Sequence, residues 1–525
     1  MLSARLPLDP QLVLAPVPRR LFGTFVEHMG RAVYEGIYEP GHPTADAEGF
    51  RGDVLALVRE LGATTVRYPG GNFVSGYRWE DGVGPRADRP VRLDAAWHST
   101  ETNAVGLHEF ASWAAQADLE LMYAVNLGTR GIDAAADVLE YANHPAGTAL
   151  SDQRRRNGAD APFAIGLWCL GNEVDGPWQI GHKTADEYGR LAAETARLMT
   201  FLDPDIELVA AGSSNAEMPT FGEWERTVLT HTAGLVHHIS VHAYYEEQDG
   251  DAVSFLASAT ALDRYIDTVA AIIDEVGAGP GSAHPVGISV DEWNVWSQTR
   301  WNEHDKTAVL TGGWPEHPRL IEDTYTVTDA VVVGSLLISL LRHSDRVSMA
   351  NLAQLVNVIA PIRCEPGGPA WRQSTFFPFQ HTATRARGSV LAADVDSPEI
   401  DTLRHGAAPL VDAVATVDDD GRMTVFACNR SLEDAAELTI DVTDASAATS
   451  GYRLVRAETL TIPADGDRHT TNTAEAQPVG MRPLTVPAPQ AAATPTPPSS
   501  SITVVLPALS WSVLELAPTR KTPHE

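Results

Sequence analysis

Two glutamates, Glu173 and Glu292, each follow a short apolar run of the kind that forms a buried strand, in the segments IGLWCLGNE and VGISVDEW. A pair of carboxyl groups can cleave a glycosidic bond: one protonates the leaving oxygen, and the other attacks the anomeric carbon. A single glutamate after a strand is more often a solvated loop residue or a helix cap. The pair must therefore be judged by its surroundings.

The neighbours of both glutamates favour a site. Asn172 can donate its amide N–H to a sugar hydroxyl, and Trp168 and Trp178 offer flat apolar faces on which sugar rings stack. For Trp168, packing in the core is the better interpretation. Asp291 precedes Glu292, and alternation along a strand predicts that one of these acids faces inward and the other away.

Eight apolar, β-branched runs alternate with amphipathic stretches between about residues 21 and 380, which is typical of βα units around a parallel sheet. Eight strands close a TIM barrel, and the interval between the two glutamates fits three βα units of about 40 residues. They should lie on strands four and seven, with their carboxylates converging near the barrel axis. The runs end near Glu27, Arg67 to Asn72, Asn126, Glu173, Ser214, Tyr244, Glu292 and Gln354.

The flanking segments predict the rest of an α/β architecture. After Gln380, alternating strand-like segments predict a C-terminal all-β sandwich, which the opening run PLDPQLVLAPV could join because chain ends often lie close together. We expect a (β/α)8 barrel over residues 18–385, a sandwich of residues 1–17 and 386–525, and a Pro/Ala/Ser/Thr-rich loop at about 483–501. Outer helices are predicted at Val54–Leu61, Gly106–Ala117, Thr184–Phe201, Phe255–Ile273 and Thr328–Leu341.

Charge and cysteine content exclude several classes of protein. The formal charge of −31, from 69 acidic and 38 basic residues, repels phosphate backbones and anionic lipids, so neither nucleic acid nor membrane is expected as a partner. Cys169, Cys364 and Cys428 fit neither a disulfide framework nor a CxxC metal site. Because MLSARLPLDP lacks an apolar signal region, and no stretch of about 18 apolar residues occurs, we expect a cytoplasmic protein.

Four segments resemble the α-L-arabinofuranosidases of glycoside hydrolase family 51: GNE at strand four, DEWNVW at strand seven, YPGGNFVSGYRWEDGVGP and RLDAAWHSTETNAVGLHEF. The resemblance spans most of the barrel. It implies that Glu173 is the acid/base and Glu292 the nucleophile of a retaining, exo-acting enzyme. The implied substrates are arabino- or arabinoxylo-oligosaccharides with terminal non-reducing α-L-arabinofuranosyl residues. No cofactor is expected, and a homo-oligomer, expected to be a hexamer, is implied.

The same resemblance implies further contacts to the sugar or to the carboxylates. Arg67 or the Tyr244 hydroxyl could hydrogen-bond Glu292. Glu27 could bind furanose hydroxyls or form a salt bridge with Arg31 or Arg67. Asn72 follows two glycines, which could turn its amide into the pocket or simply mark an ordinary turn. The implied residues are Glu27, Arg67, Asn72, Asn172, His242, Tyr244 and Gln354.

Three further features bear on the pocket. His242 with His237 and His238 suggests a metal site, but no further residue completes a ligand set, so no catalytic metal is expected. Trp97 and Trp296 could form pocket walls or pack against loops. The segment SQTRWNEHDKTAVLTGGWPEHPRL after strand seven should cover the pocket, and the acidic tail EEQDGD after strand six could alter the surrounding loops.

Two alternatives stay open at this stage. The two-carboxylate arrangement also serves barrel glycosidases that act on other sugars, such as a β-xylosidase or an endoglucanase. A carbohydrate-binding protein whose barrel has lost catalysis would keep affinity for sugars without turnover. The presence of both glutamates argues against this second alternative.

Overall fold

The larger part of the molecule is a closed barrel of eight parallel strands that neighbour one another in chain order. The computed structural model describes residues 1–277, 285–443, 449–484 and 499–520. The predicted TIM barrel is confirmed, with Glu173 following strand four and Glu292 inside strand seven. Barrel strands one to eight are Gly23–Phe25, Thr65–Tyr68, Glu120–Ala124, Leu167–Leu170, Glu207–Ala210, His238–Tyr245, Gly287–Val295 and Val347–Ala353.

Amphipathic helices surround the barrel and bury their apolar sides against it. The helix after strand four begins with a capping box, in which the Thr184 side chain accepts from the backbone N–H of Glu187. The predicted helix Phe255–Ile273 is divided at Ala257, because Asp251 caps a separate short helix ahead of it. The helices are Gly52–Leu61, Leu107–Gln116, Ile132–Asn143, Ala149–Arg156, Ala185–Leu202, Glu223–Thr232, Ala252–Leu256, Ser258–Val276, Val327–Arg342 and Phe376–Arg385.

The C-terminal strands form two facing sheets with a separate apolar core between them, which confirms the predicted sandwich. The first two strands of the chain pair into these sheets. In order, the larger sheet contains Val13–Pro16, Ser389–Leu391, Val411–Val417, Met423–Asn429, Ser510–Arg520, Thr449–Thr461 and Arg482–Pro483, and the smaller sheet contains Leu2–Leu8, Ala436–Thr443 and Ser499–Leu506. The exact boundaries at residues 18 and 385 stay a prediction, and most of the predicted loop at 483–501 lies outside the described residues.

The outer face of the larger sheet packs on the barrel helix Val327–Arg342. Gly334 permits this contact, because a Cβ there would lie 2.2 Å from Cδ1 of Trp511. Beside it, Arg430 donates to Ser335 Oγ at 2.6 Å and to Asp412 Oδ2 at 2.8 Å. The barrel and the sandwich therefore share one apolar interface with a buried polar network at its side.

Smaller elements complete the described chain. Two antiparallel hairpins, Arg92–Asp94 with Ser99–Glu101 and Ile362–Cys364 with Ala370–Arg372, extend from the barrel loops, and a third pairs Glu399–Thr402 with Gly406–Pro409. The three cysteines are unpaired and buried. None of the helices within the described ranges has the length and apolar character to cross a membrane.

Candidate active site

A cavity of about 500 Å³ opens at the carboxyl ends of the barrel strands. Eight of the predicted site residues line it. The other three, Arg67, Asn172 and His242, do not line the cavity but contact residues that do. In a TIM barrel this end carries the loops that form active sites. The eight predicted lining residues are Glu27, Asn72, Trp97, Glu173, Tyr244, Glu292, Trp296 and Gln354.

The carboxyl groups of Glu173 and Glu292 face each other across the floor of the cavity. One carboxylate oxygen of each, together with one ring nitrogen of His242, lies within 4.8 Å of the others. Retaining glycosidases place their two carboxyl groups about 5 to 5.5 Å apart, whereas inverting enzymes need about 6.5 to 9.5 Å to admit a water. The observed proximity therefore suits direct attack on the sugar.

Arg67 and Tyr244 both hydrogen-bond Glu292, whereas the sequence predicts this contact for one or the other. Arg67 Nη1 donates to Glu292 Oε1 at 2.7 Å, and the Tyr244 hydroxyl donates to Oε2 at 2.7 Å. Arg67 Nη2 also donates to Asn172 Oδ1 at 2.6 Å. Burial would lower the pKa of the Arg67 guanidinium, but the charges of Asp291 and Glu292 raise it above its ordinary value. A fixed cation therefore lies against the carboxylate that would attack.

His242 lies between three carboxylates. Its Nδ1 is 2.9 Å from Glu173 Oε1, and its Nε2 is 3.1 Å from Asp291 Oδ1. Burial lowers the pKa of the imidazole, but Glu292, Asp291 and Glu173 raise it further, to well above the usual range. Each ring nitrogen therefore faces a carboxylate oxygen within hydrogen-bond distance, an arrangement that favours the protonated imidazole.

The same cluster contains the one set of potential metal ligands found in the described part of the chain, namely Glu173, His242 and Glu292. A metal would need a neutral ring nitrogen as its ligand. Both nitrogens of His242 already face carboxylates, at 2.9 and 3.1 Å. The donor set therefore fits a hydrogen-bonded acid cluster better than a metal centre.

The prediction that either Asp291 or Glu292 faces away from the site is wrong. Asp291 is fully buried, 3.5 Å from Arg67 Nε and 3.1 Å from His242 Nε2, so both acids share the same two cations. The pairing register shifts between Val290 and Trp293 on strand seven, and again beside it on strand six. Such irregularities re-aim side chains, which simple alternation cannot predict.

Glu27 accepts the backbone N–H of Phe73 and the indole N–H of Trp97, each at 2.8 Å. The alternative of a salt bridge is wrong, because Arg31 pairs with Glu322 and Arg67 pairs with Glu292. Burial raises the pKa of Glu27 to about 8, with the charge of Glu292 adding to the effect. A neutral Glu27 can both donate to and accept from a sugar hydroxyl.

Two glycines bring the second barrel loop against these acids. A Cβ at Gly70 would lie 2.6 Å from Cγ of Glu27, and one at Gly71 would lie 3.1 Å from Glu27 Oε2 and 3.2 Å from Glu292 Oε1. Asn72 follows directly and lines the cavity. The glycines therefore permit a close backbone approach that a side chain would block.

Amides from three strand ends complete the polar wall. Asn172 Nδ2 donates to Asn72 Oδ1 at 3.5 Å, and the side-chain oxygen of Gln354 accepts the backbone N–H of Glu27 at 3.0 Å. Asn72 and Gln354 line the cavity. Strands two, four and eight thereby contribute polar groups of the kind that bind hydroxyls.

The segment after strand seven covers the cavity, as predicted. It forms the short helices Gln298–Arg300, Trp301–Asp305 and Lys306–Thr311, and Trp301 packs edge-on against Trp97 with ring centroids 6.0 Å apart. Thr100 fastens the two loops, since its hydroxyl donates to the Trp314 carbonyl at 2.6 Å and its N–H to the Pro315 carbonyl at 2.9 Å. The cavity is thus roofed by two connected loops.

Tryptophans divide between core and cavity. Trp168 is fully buried and donates to the Ile165 carbonyl, which confirms core packing. Trp178 lines the cavity and donates to Glu173 Oε2 at 2.7 Å, and Trp296 packs edge-on against Tyr244. Trp97 forms a wall and also bonds Glu27. Lining residues outside the predicted site set include Phe25, Trp178, Asn215, Trp301 and Lys306.

The acidic tail after strand six ties neighbouring parts together. Glu246 accepts the backbone N–H of Thr299 at 3.0 Å, and Glu247 accepts two hydrogen bonds from Arg468 at 2.6 and 2.8 Å. The first contact anchors the roof segment, and the second joins the barrel to a loop of the sandwich. These acids therefore have structural partners away from the cavity floor.

Known proteins resemble this chain over almost its full length. Residues 57–267 match the α-L-arabinofuranosidase 1 domain, and residues 291–510 match the α-L-arabinofuranosidase C-terminal domain. An intracellular exo-α-(1→5)-L-arabinofuranosidase of Streptomyces lividans is 58% identical over 475 residues, which are 90% of this chain and 70% of that protein. An exo-α-(1→6)-L-arabinofuranosidase of Bifidobacterium longum is 52% identical over 98% of this chain and 97% of that protein. The solved structure of a family 51 α-L-arabinofuranosidase from Bifidobacterium longum superposes with a TM-score of 0.89, at 46% identity, over 98% of this chain and 99% of that one.

Proposed function

We propose that this chain, which belongs to the α-L-arabinofuranosidases of glycoside hydrolase family 51, releases terminal α-L-arabinofuranosyl residues from the non-reducing ends of arabino- or arabinoxylo-oligosaccharides with retention of configuration. One observation carries the proposal. Glu173 and Glu292 have carboxylate oxygens within 4.8 Å of each other at the floor of a cavity of about 500 Å³. That spacing supports double displacement.

In the first step, Glu292 is the nucleophile and Glu173 the acid. A Glu292 oxygen forms a bond to C1 of the arabinofuranose while the bond from C1 to the leaving oxygen breaks, and Glu173 gives its proton to that oxygen. Arg67 and Tyr244 each donate to a different oxygen of Glu292 at 2.7 Å, which orients the carboxylate before attack. His242 bridges toward Glu173 and keeps the acids from repelling each other.

In the second step, Glu173 acts as the base. It takes a proton from water as the water oxygen bonds to C1 and the bond between C1 and Glu292 breaks. Two inversions at one carbon restore the original configuration. Both steps need the same pair of carboxyl groups.

The remaining lining residues would bind the sugar. Glu27, Asn72, Asn172 and Gln354 offer donors and acceptors for furanose hydroxyls, with Asn172 also orienting Arg67. Trp97 and Trp296 would form the apolar walls. The roof that Trp301 and its neighbours form over the cavity supports action on the end of a chain.

The natural substrates would be short oligosaccharides inside the cell. The Streptomyces lividans relative is named an intracellular exo-α-(1→5)-L-arabinofuranosidase, whereas the Bifidobacterium longum relative is named an exo-α-(1→6)-L-arabinofuranosidase. We therefore propose a cytoplasmic enzyme for arabinofuranosyl oligosaccharides. Rates on (1→2), (1→3), (1→5) and (1→6) disaccharides, measured side by side, would assign the linkage, and native enzyme in culture medium rather than in the cell extract would contradict the location.

The proposed reaction uses no metal. Because both nitrogens of His242 face carboxylates, we expect activity to be unchanged after incubation with excess EDTA and dialysis. A loss of activity that Zn²⁺ or Mn²⁺ restores would contradict this prediction. A parallel assay of a zinc-dependent hydrolase would verify that the chelator was effective.

A homo-oligomer, expected to be a hexamer, forms part of the proposal. The strand Val13–Pro16 is the last strand at one edge of the larger sheet, and Leu12, Val13 and Leu14 there are exposed. An apolar sheet edge of this kind can be covered by another copy of the chain. Light scattering coupled to size-exclusion chromatography would measure the mass, and a monomer at micromolar concentration would contradict the oligomer.

Product stereochemistry tests the central proposal. Proton NMR of the first product from 4-nitrophenyl α-L-arabinofuranoside should show the α-anomer before mutarotation. Nitrophenyl β-D-xylopyranoside and cello-oligosaccharides, which serve as the comparison for a β-xylosidase or an endoglucanase, should be turned over far more slowly. Initial formation of the β-anomer would contradict the nucleophile, and binding of arabinofuranosides without turnover would indicate a barrel that has lost catalysis.

A further inference from the structure

The indole of Trp178 lies at the rim of the cavity, directly against the carboxyl group of Glu173. Its Nε1 donates to Glu173 Oε2 at 2.7 Å, although 47% of the residue is exposed to solvent. Trp178 also lines the cavity. The hydrogen bond between Trp178 and Glu173 is therefore exposed both to solvent and to a leaving group in the cavity.

The loop that carries Trp178 is built to keep the indole in this place. Gly176 N–H bonds the Glu173 carbonyl at 2.9 Å, and a Cβ at Gly176 would lie 2.6 Å from Cε2 of Trp178, so the ring rests on bare backbone. Asp175 accepts the backbone N–H of Ser214 at 3.0 Å. Lys183 donates to the Leu127 carbonyl at 3.0 Å. The loop is therefore braced on both sides of the indole.

The two oxygens of Glu173 have different partners. Oε1 is 2.9 Å from Nδ1 of His242, which is fully buried and held on its other side by Asp291, whereas Oε2 is bonded only by the indole in the described structure. The other charged groups around this carboxyl are Glu292 on strand seven and Asp175 on the same loop. Oε2 is therefore the oxygen that faces the cavity.

We propose that Trp178 is a positioning residue for proton transfer by Glu173, an inference that rests on the proposed function. When the proton of Glu173 moves to the leaving oxygen and the bond from that oxygen to C1 breaks, a carboxylate is left behind. The indole N–H donates to that carboxylate and stabilises it until a proton from water returns to Glu173 in the second step. The hydrogen bond from the indole therefore increases the rate most when the leaving oxygen must be fully protonated before it departs.

Leaving-group dependence tests the proposal. Trp178→Phe keeps an apolar ring but removes the N–H, so kcat/KM should fall roughly ten- to a hundredfold for phenyl and alkyl arabinofuranosides and arabino-oligosaccharides, because hydrogen bonds to charged groups are worth that much. For 2,4-dinitrophenyl arabinofuranoside the fall should be under about threefold. Phe201→Leu is the control: that aromatic residue is 82% exposed on the outer helix Ala185–Leu202 and does not line the cavity, and the variant should behave as wild type.

The outcomes separate this inference from the proposed function. Equal losses of kcat/KM for every leaving group in Trp178→Phe would indicate a structural role and overturn the inference, as would no loss for any of them. Failure of the wild-type protein to cleave any arabinofuranoside would instead overturn the proposed function.

Discussion

Arg67 and Glu292 lie on barrel strands two and seven, and a hydrogen bond of 2.7 Å joins Nη1 of the first to Oε1 of the second. Neither side chain has appreciable contact with solvent. The same guanidinium reaches Asn172 with its second amino group and Asp291 with its Nε. One cation thus fixes groups from strands four and seven at once, so the geometry of the acid pair depends on it.

Arg67→Lys should reduce kcat/KM by at least about a hundredfold, because an ammonium group cannot make the divided contacts of a guanidinium. Steady-state kinetics on nitrophenyl arabinofuranoside would measure the loss. Circular dichroism and the melting temperature would show that the variant folds. The exposed Arg197→Lys, which alters only a contact with Glu194 one helical turn away, is a suitable control. Wild-type kinetics in Arg67→Lys would contradict the assigned role.

Glu292→Ala should lower turnover about a thousandfold or more on every arabinofuranoside, because no covalent intermediate can form. Glu173→Ala should retain much of its first-step rate on a dinitrophenyl leaving group and lose roughly 10² to 10⁴ on a poor one. Azide should restore product formation by Glu173→Ala as the α-glycosyl azide, because this nucleophile needs no base and displaces Glu292 with a second inversion. Turnover of Glu292→Ala at the wild-type rate would end the assignment.

Much of this arrangement follows from local sequence patterns. The eight strand ends could be predicted because a parallel strand buried on both faces reads as a continuous apolar run that ends where the polar site residues begin. Arg67, His242 and Tyr244 occur at such ends, so their convergence needed only the barrel. The orientation of Asp291 does not follow from alternation along its strand, because strand irregularities depend on pairing with neighbouring strands, which the sequence of one strand does not contain.

Loop residues were less predictable for a different reason. The contact of Trp178 with Glu173 depends on the path of a turn over Gly176, and the contact of Trp301 with Trp97 joins two loops far apart in sequence. Covering of the cavity by the segment after strand seven could be predicted from its length. Which of its side chains point inward depends on packing that only the folded chain defines.

Glu27→Gln should stabilise the protein increasingly as the pH rises. Burial raises the pKa of Glu27 from 4.5 to about 8. The contribution of Glu27 to the free energy of unfolding is therefore fully present below about pH 4.5 and is lost as the pH rises to about 8. The neutral amide removes this loss. The difference in melting temperature between the variant and the wild type should therefore widen across that interval and correspond to a few kcal/mol at most. A difference that is constant from pH 4.5 to 8 would show that Glu27 ionises normally.

Gly71→Ala should reduce activity without unfolding the protein, because its Cβ would lie 3.1 Å from Glu27 Oε2 and 3.2 Å from Glu292 Oε1. Displacing the carboxylates by a few tenths of an ångström should cost roughly ten- to a hundredfold in kcat.

Gly70→Ala should also destabilise the fold by about 1 to 3 kcal/mol, because that residue has φ +147 and its Cβ would meet Glu27 Cγ. Gly131→Ala, which meets nothing within 4 Å, is the control. An active Gly71→Ala enzyme would show that the acids tolerate the methyl group.

The contact between Gly334 and Trp511 limits how this protein can be recombined with its relatives. Since the indole occupies the place of a side chain on the barrel helix, a chimaera that takes its barrel from one protein and its sandwich from another must inherit both positions together. The hydrogen bonds from Arg468 to Glu247 set a second matching condition at the other side of the same junction. Barrel and sandwich must therefore be exchanged together, because exchange of either one alone would separate the contacting residues at this junction.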